Sequence, residues 1–286
     1  MNKIKTLLFL IGLGILSSNP AWSQGLLDSL RTNVKKEAKV VELFQGTLIH
    51  SGQSAETLSK GELNFVIQHR FGKITNGFYD MFGLDVATMR LGFEYGINDW
   101  FSASIGRSTL EKTYDIGLKS KLMSQDDMGK PLTMSVFVQA SANTLRNIYP
   151  ENYDNLSGRL SYSGQFIAGR EFGFISVMIS PTIIYNSYDY RISDDLLFTS
   201  LGFGGSVKIN DRISITGEYY YGFTETQFTN YNPLSIGVDL DTGGHLFQLM
   251  FSNSTGMFNK SLLTNNSGSW SDGDIYFGFN LIRTFY

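Results

Sequence analysis

From about residue 61 onward, apolar and polar residues alternate with a period of two in about a dozen separate runs. Leu63, Phe65 and Ile67 alternate with Glu62, Asn64 and Gln68, and Ala87, Met89, Leu91, Phe93 and Tyr95 alternate with Thr88, Arg90, Gly92 and Glu94. Successive side chains of a strand point to opposite faces, so each run predicts a strand with one apolar and one polar face. The runs fall near residues 63–71, 87–95, 101–106, 114–119, 132–140, 160–168, 175–185, 199–209, 213–219, 234–240, 247–251 and 275–281. That predicts about 12 strands, within 10 to 14. The connections form two classes that interleave. Those near 97–99, 124–131, 170–173, 210–212 and 241–244 are mostly short, and those near 72–85, 143–158, 186–196, 222–233 and 252–273 are long. The connection near 107–112 is the one short member of the long class. An even strand count, short turns at one end and long loops at the other describe an all-β, transmembrane, antiparallel up-and-down β-barrel in an outer membrane.

A soluble β-sandwich also alternates with regular turns. Its core, however, collects large aromatics on the inner face. Here the polar face is Ser, Thr, Gly and mixed charge on nearly every run. No segment supplies ~18 unbroken apolar residues for a spanning helix. A barrel needs none, because only every second residue meets lipid. Tyr95, Trp100, Tyr114, Tyr185, Tyr219 and Tyr221 lie near run ends, where amphipathic rings favour the membrane interface. The outward set Phe277, Phe279 and Leu281 continues to Phe285, one residue before the terminal Tyr286.

The first residues carry a secretory signal. Lys3 and Lys5 precede the apolar run Leu7–Leu16, and Ala21-Trp22-Ser23 supplies small residues at −3 and −1. Cleavage is expected between Ser23 and Gln24. The apolar run is only about half the ~20 residues of a membrane span. The expected organisation is a signal peptide at 1–23, an N-terminal periplasmic extension or partial plug at 24–60, and the barrel at 61–286. Leu27, Leu30, Val34, Ala38 and Val41 have helical spacing, which predicts an amphipathic helix over 24–44. Residues 45–60 are polar and small, and form either a linker or a segment folded back into the barrel.

Composition narrows the chemistry. The chain has 286 residues, 22 Phe, 15 Tyr, 30 Gly and only 5 Pro, which favours strands and turns. It has no Cys, which excludes a disulfide scaffold, a thiolate metal site, a cysteine nucleophile and a lipid-modified N-terminus. Three scattered His residues, His50, His69 and His245, have no metal-ligand spacing. The net charge of −3 and the lack of a dense Lys/Arg cluster argue against nucleic acid. No cofactor, metal site or catalytic residue is expected. His69 is the sole candidate for a lipid-facing hydrolase, and no spacing sets a Ser and an Asn beside it.

Alternation turns eight charges inward: Arg90, Glu94, Asp115, Lys119, Lys121, Lys208, Glu218 and Asp239, four of each sign. A single-sign ring would select ions. Mixed signs in a bore between eight and sixteen strands predict either cross-lumen salt bridges or a narrow mixed-charge path. Gly92, Gly106, Gly117, Gly202, Gly204, Gly237 and Gly278 also turn inward, leaving room against the wall. The outer connections hold Tyr149, Tyr153, Tyr188, Tyr190, Tyr231 and Trp270 among Asn, Ser and Asp, a composition suited to a solvated loop or to a binding surface.

The run Phe44-Gln45-Gly46-Thr47, then Gly61-Glu62-Leu63-Asn64-Phe65 and His69-Arg70-Phe71-Gly72, resembles the opening of an uncharacterised, porin-like outer-membrane β-barrel family of Bacteroidota. Phe82-Gly83-Leu84-Asp85, Arg90-Leu91-Gly92-Phe93-Glu94-Tyr95-Gly96, Gly106-Arg107-Ser108, Lys112-Thr113-Tyr114-Asp115, His245-Leu246-Phe247-Gln248 and Ser252-Asn253-Ser254 extend the likeness. It implies fold and location and supplies no activity, since the family is a domain of unknown function. The expected function is a narrow channel for small solutes. The alternative is a non-transporting barrel that anchors or receives a periplasmic or external partner. Expected contacts are outer-membrane lipid and, during biogenesis, the barrel-insertion machinery.

Overall fold

The computed structural model describes residues 39–146, 156–187, 197–224 and 231–286. The expected signal peptide with its Ser23–Gln24 junction, and Tyr149, Tyr153, Tyr188 and Tyr190, lie outside the described residues. Twelve strands form one closed antiparallel barrel in which each pairs with its sequence neighbours. They are β1 (Leu63–Lys73), β2 (Ala87–Asn98), β3 (Phe101–Ser108), β4 (Tyr114–Met123), β5 (Thr133–Ala142), β6 (Leu160–Phe172), β7 (Ile175–Asn186), β8 (Leu197–Asn210), β9 (Ile213–Gly222), β10 (Leu234–Asp241), β11 (His245–Ser252) and β12 (Tyr276–Phe285). The barrel closes where β1 meets β12, with Leu63 opposite Phe285 and Arg70 opposite Gly278.

The period-two pattern is what closes it. Along β7 every even residue from Ser176 to Asn186 is buried and every odd residue from Ile175 to Tyr185 is exposed. Phe93, Ile105, Ile116, Val138, Ile183, Phe203 and Phe251 are all exposed. An apolar belt running around the whole wall has no place in water and every reason to be in lipid. The end carrying the two- and three-residue turns after β2, β6, β8 and β10 also carries Tyr286, and in barrels of this design that end is periplasmic.

Two expectations change. The predicted helix over 24–44 does not extend through its described part. Val40 instead bridges Asp126, and the Val41 N–H donates to the Gln125 carbonyl at 3.0 Å. Leu43 and Phe44 are then free to pack on Phe137, Ile167 and Met178 of the inner wall, and that tertiary contact overrides the local helical spacing. The long connection near 252–273 is not a solvated outer loop. It folds into the barrel, with Asn253, Ser254, Met257, Phe258 and the whole of a short helix, α1 (Asn259–Thr264), buried.

Candidate functional site: an occluded lumen

The interior of the barrel is filled from both ends by segments that are not wall strands. From the periplasmic side, residues 39–60 rise into the lumen and turn at 49–52. The Ile49 N–H donates to the Gly52 carbonyl at 2.9 Å and the Ser54 N–H to the Thr47 carbonyl at 3.0 Å, so the tip is a tight hairpin. From the outer side comes the β11–β12 connection with α1. Most of residues 45–60 are buried inside the barrel. Backbone polar groups carried into a barrel must find partners there, and side chains of the wall supply them.

The turn is gripped by β1, β9, β11 and β12. Glu218 on β9 accepts the Ser51 and Gly52 N–H groups, one on each carboxylate oxygen, both at 2.9 Å. Gln248 on β11 donates to the carbonyls of Ile49 at 2.6 Å and Leu48 at 3.2 Å. Asn280 on β12 donates to the His50 carbonyl at 2.7 Å. Arg70 on β1 donates to Ser51 Oγ at 3.0 Å and to Asn280 Oδ1 at 3.0 Å. The His50 ring meets Thr216 Oγ1 at 3.0 Å through Nε2. Burial, helped by the Arg70 guanidinium, pushes this imidazole down to about 3, so it is neutral in place.

The stem is gripped by β2, β4 and β5. The Lys119 ammonium on β4 donates to three inserted carbonyls, Thr47 at 2.8 Å, Glu56 at 3.1 Å and Ser54 at 3.2 Å. Lys121 pairs with Glu56 at 2.9 Å. Glu94 accepts from Thr47 Oγ1 at 2.5 Å, and Ser135 Oγ donates to the Ala55 carbonyl at 2.6 Å. Inward glycines provide space for this. A Cβ on Gly204 would meet Ile49 at 2.4 Å, and one on Gly237 would meet His50 at 2.7 Å. A Cβ on Gly52 itself would come within 1.6 Å of the Tyr220 hydroxyl.

All eight charges read from the alternation face the interior, but only one pair of them spans wall to wall. Arg90 holds Asp115 through two hydrogen bonds, 2.6 and 2.9 Å. Lys208 pairs with Glu171 at the periplasmic end and also donates to the inserted Glu42 carbonyl at 2.9 Å. Asp239 accepts from Thr216 at 3.1 Å and Gln248 at 3.1 Å. Glu94, Lys119, Lys121 and Glu218 bond the inserted segment directly. Five of the eight charges, Glu94, Lys119, Lys121, Lys208 and Glu218, thus bond the chain's own N-terminal segment. Sequence reasoning missed Arg70, Gln248, Asn280 and Gln68, whose Nε2 donates to the His50 carbonyl at 3.3 Å, as members of this grip, and Glu56 on the inserted side. A usable signal was present. Val66, Phe137, Ile167, Met178, Tyr220, Leu246 and Ile282 also turn inward, and a water-filled lumen has no use for large apolar side chains. Leu43, Phe44, Ile49 and Ala55 cover Phe137, Ile167 and Met178, and Leu48 covers Val66, Leu246 and Ile282.

On the outer side, Asn259 Nδ2 donates to Ser163 Oγ at 3.1 Å, and its backbone N–H to Gln139 Oε1 at 3.2 Å. Leu262 and Leu263 pack on Ile184, Phe198 and Tyr220. The Trp270 indole, expected among the exposed loop aromatics, donates to the Leu234 carbonyl at 3.0 Å. Below the inserted hairpin lies a polar vestibule of about 560 Å³ open to the periplasmic end, bordered by Glu42, Glu62, Asp99, Lys121 and Asp241. A separate concavity of about 660 Å³ is a trough in the lipid-facing wall around Ala140, Tyr162 and Gly164, and its lining is mostly apolar. His69 lies outside as well, stacked on Phe279 at 5.1 Å and beside Phe71 at 4.4 Å, with no hydrogen bond at Nδ1.

A closed twelve-stranded barrel with an apolar outer belt, a polar inner wall and its own chain in the lumen is a membrane barrel of the porin-like outer-membrane type. Residues 44–285 match the family described as membrane bound beta barrel domain (DUF5777), and the chain belongs to that family. Among solved structures it is similar to the NanC porin, at 10% identity and a TM-score of 0.50, covering 78% of this chain and 99% of that one. It is also similar to an outer membrane channel from Pseudomonas putida F1, at 12% identity and a TM-score of 0.46, covering 81% and 98%. No curated protein matches the sequence.

Proposed function

We propose that the protein is a gated narrow channel for small hydrophilic solutes in the bacterial outer membrane, exported by a cleaved signal peptide, and that the described state is its closed form. The observation that carries this reading is the nature of the occlusion. Residues 39–60 contribute no strand to the barrel, and they are held by hydrogen bonds that water can replace together with the packing of Leu43, Phe44, Leu48, Ile49 and Ala55 on the inner wall. Such bonds contribute only about 1 kcal/mol net each. Displacing the hairpin leaves all twelve strand pairings intact. The wall behind it keeps charged and amide groups suited to solvated solutes.

A second reading, a barrel that anchors or receives a partner, draws on the same filled lumen. The geometry around His69 lends no support to a lipid-facing hydrolase. Two cysteines separate the first two readings, because the chain has none of its own. Ser135 Oγ reaches the Ala55 carbonyl at 2.6 Å, so Ala55→Cys with Ser135→Cys ties the hairpin to β5. In planar bilayers the oxidised protein stays closed, and reduction restores openings. Silence of the reduced and wild-type proteins across a wide voltage range defeats the channel reading and leaves the anchor.

A further inference from the structure

The inner wall is divided by chemistry. Inward charges concentrate on β1, β2, β4, β9 and β10, where they grip the inserted hairpin. On β5–β8 the inner face is Ser, Thr, Gln, Asn and Gly with a few apolar residues. Its two charges, Glu171 and Lys208, sit at the periplasmic end and neutralise each other. The two occluding segments meet β6–β8 mainly through Leu43, Ile49, Leu262 and Leu263. Apolar side chains resting on this wall leave its polar groups unmatched. The Asn186 amide and the hydroxyls of Ser176 and Ser200 are more than nine-tenths buried and, among the described residues, have no hydrogen-bond partner. Among the described residues, the Thr182 hydroxyl is satisfied only by the Ser180 carbonyl of its own strand, at 3.1 Å. Among the described residues, no β7 side chain bonds to either inserted segment.

A buried hydroxyl or amide without a partner is costly, by roughly 1–3 kcal/mol, so this seam is the weakly held side of the occlusion. It is also the side with donors and acceptors free to serve something else. We propose that solutes pass along the β6–β8 seam and that they are uncharged polyhydroxylated molecules, such as polyols or sugars. A hydroxylated solute exchanges its hydrogen bonds with water for bonds to Ser176, Thr182, Asn186 and Ser200 without stranding a charge. An ion beside this wall loses hydration and meets no counter-charge. The inference rests on the channel reading and adds its route and solute class.

The test uses the full chain in liposomes, as wild type and as Lys119→Met, which loosens the grip on the charged side. Iso-osmotic swelling is compared for sorbitol, gluconate and glucosamine, which are close in size and differ in charge. The expected result is sorbitol entry at least tenfold faster than either ion, and several-fold slower sorbitol entry when Thr182→Val is added to Lys119→Met. Thr182→Asp in the same background is expected to raise glucosamine entry several-fold. Equal or faster entry of the ions, or indifference to both Thr182 variants, overturns the seam and the solute class while leaving a channel. Absence of entry by all three solutes in both proteins overturns the channel reading itself.

Discussion

Lys119→Met tests the closed state most directly. The ammonium donates to three carbonyls of the inserted hairpin between 2.8 and 3.2 Å and lies 5.9 Å from the centre of the Phe137 ring. Methionine keeps most of the side-chain volume and removes all three donors. The Ser54 and Glu56 carbonyls then lose their partner, at roughly 1–3 kcal/mol each, while the Thr47 carbonyl keeps the Ser54 N–H at 3.0 Å. Relief of burying the ammonium and re-wetting from the vestibule offset part of this. A net loss of about 3 kcal/mol for the closed state is a reasonable centre. At about 1.4 kcal/mol per tenfold, the open-to-closed ratio rises on the order of 100-fold. Single-channel recording in planar bilayers reads this as open probability, and resistance of the barrel to unfolding in detergent confirms that the wall is intact. An open probability within threefold of wild type, with the barrel folded, would refute the claim that Lys119 latches the hairpin.

Other perturbations report on separate parts of the structure. Gly52→Val drives a branched side chain into the Tyr220 hydroxyl, so the hairpin tip is expected to leave its seat and protease to reach residues 45–56 from the periplasmic side, whereas protection equal to wild type counts against the seating. The neutral His50 imidazole meets the Thr216 hydroxyl of β9 and feels the Arg70 guanidinium of β1. Its value near 3 when inserted lies below the ordinary 6.5, so the displaced segment binds the extra proton, and the closed state weakens as pH falls from about 6.5 toward 3. By pH 5 that difference is at most about 2 kcal/mol, or roughly 30-fold in opening, and a pH–opening profile unchanged by His50→Gln would refute it. On the outer wall, Ile116→Arg sets a charge in the apolar belt and is expected to lower barrel stability in phospholipid vesicles by about 2–4 kcal/mol. A loss below about 0.5 kcal/mol would argue that this face does not meet hydrocarbon.

Period-two alternation carries the wall because it is a local property. Ser176 through Asn186 reveals its two faces with no knowledge of what lies across the lumen, and the same holds for the Arg90 and Lys119 registers. The occlusion is a different kind of information. Leu43, Phe44, Leu48 and Ile49 show no period, since a hairpin in a barrel touches walls on several sides at once. Met257, Phe258, Leu262 and Leu263 look like the interior of a long loop until Ile184, Phe198 and Tyr220 are seen to turn inward opposite them. Helical spacing over 24–44 misled for a related reason, because the backbone at Val40 and Val41 answers to the β4–β5 connection and not to its own neighbours. Arg70 and Asn280 gain their meaning only when β1 meets β12, a pairing more than 200 residues apart in sequence.

The inserted hairpin joins the wall through very little chain. Lys60 and Gly61 are pinned to the β2–β3 end by bonds to Asp99 and Gly96, Gly61 takes a left-handed φ of +87°, and β1 begins at Leu63. A displaced hairpin on so short a leash faces its seat at an effective concentration of millimolar or more. Reclosure is then a first-order event that dilution cannot slow. A free peptide copying residues 45–60 would have to reach comparable concentrations before it could compete. Openings should be brief and self-terminating, with a duration set inside the molecule and independent of how much protein the membrane holds.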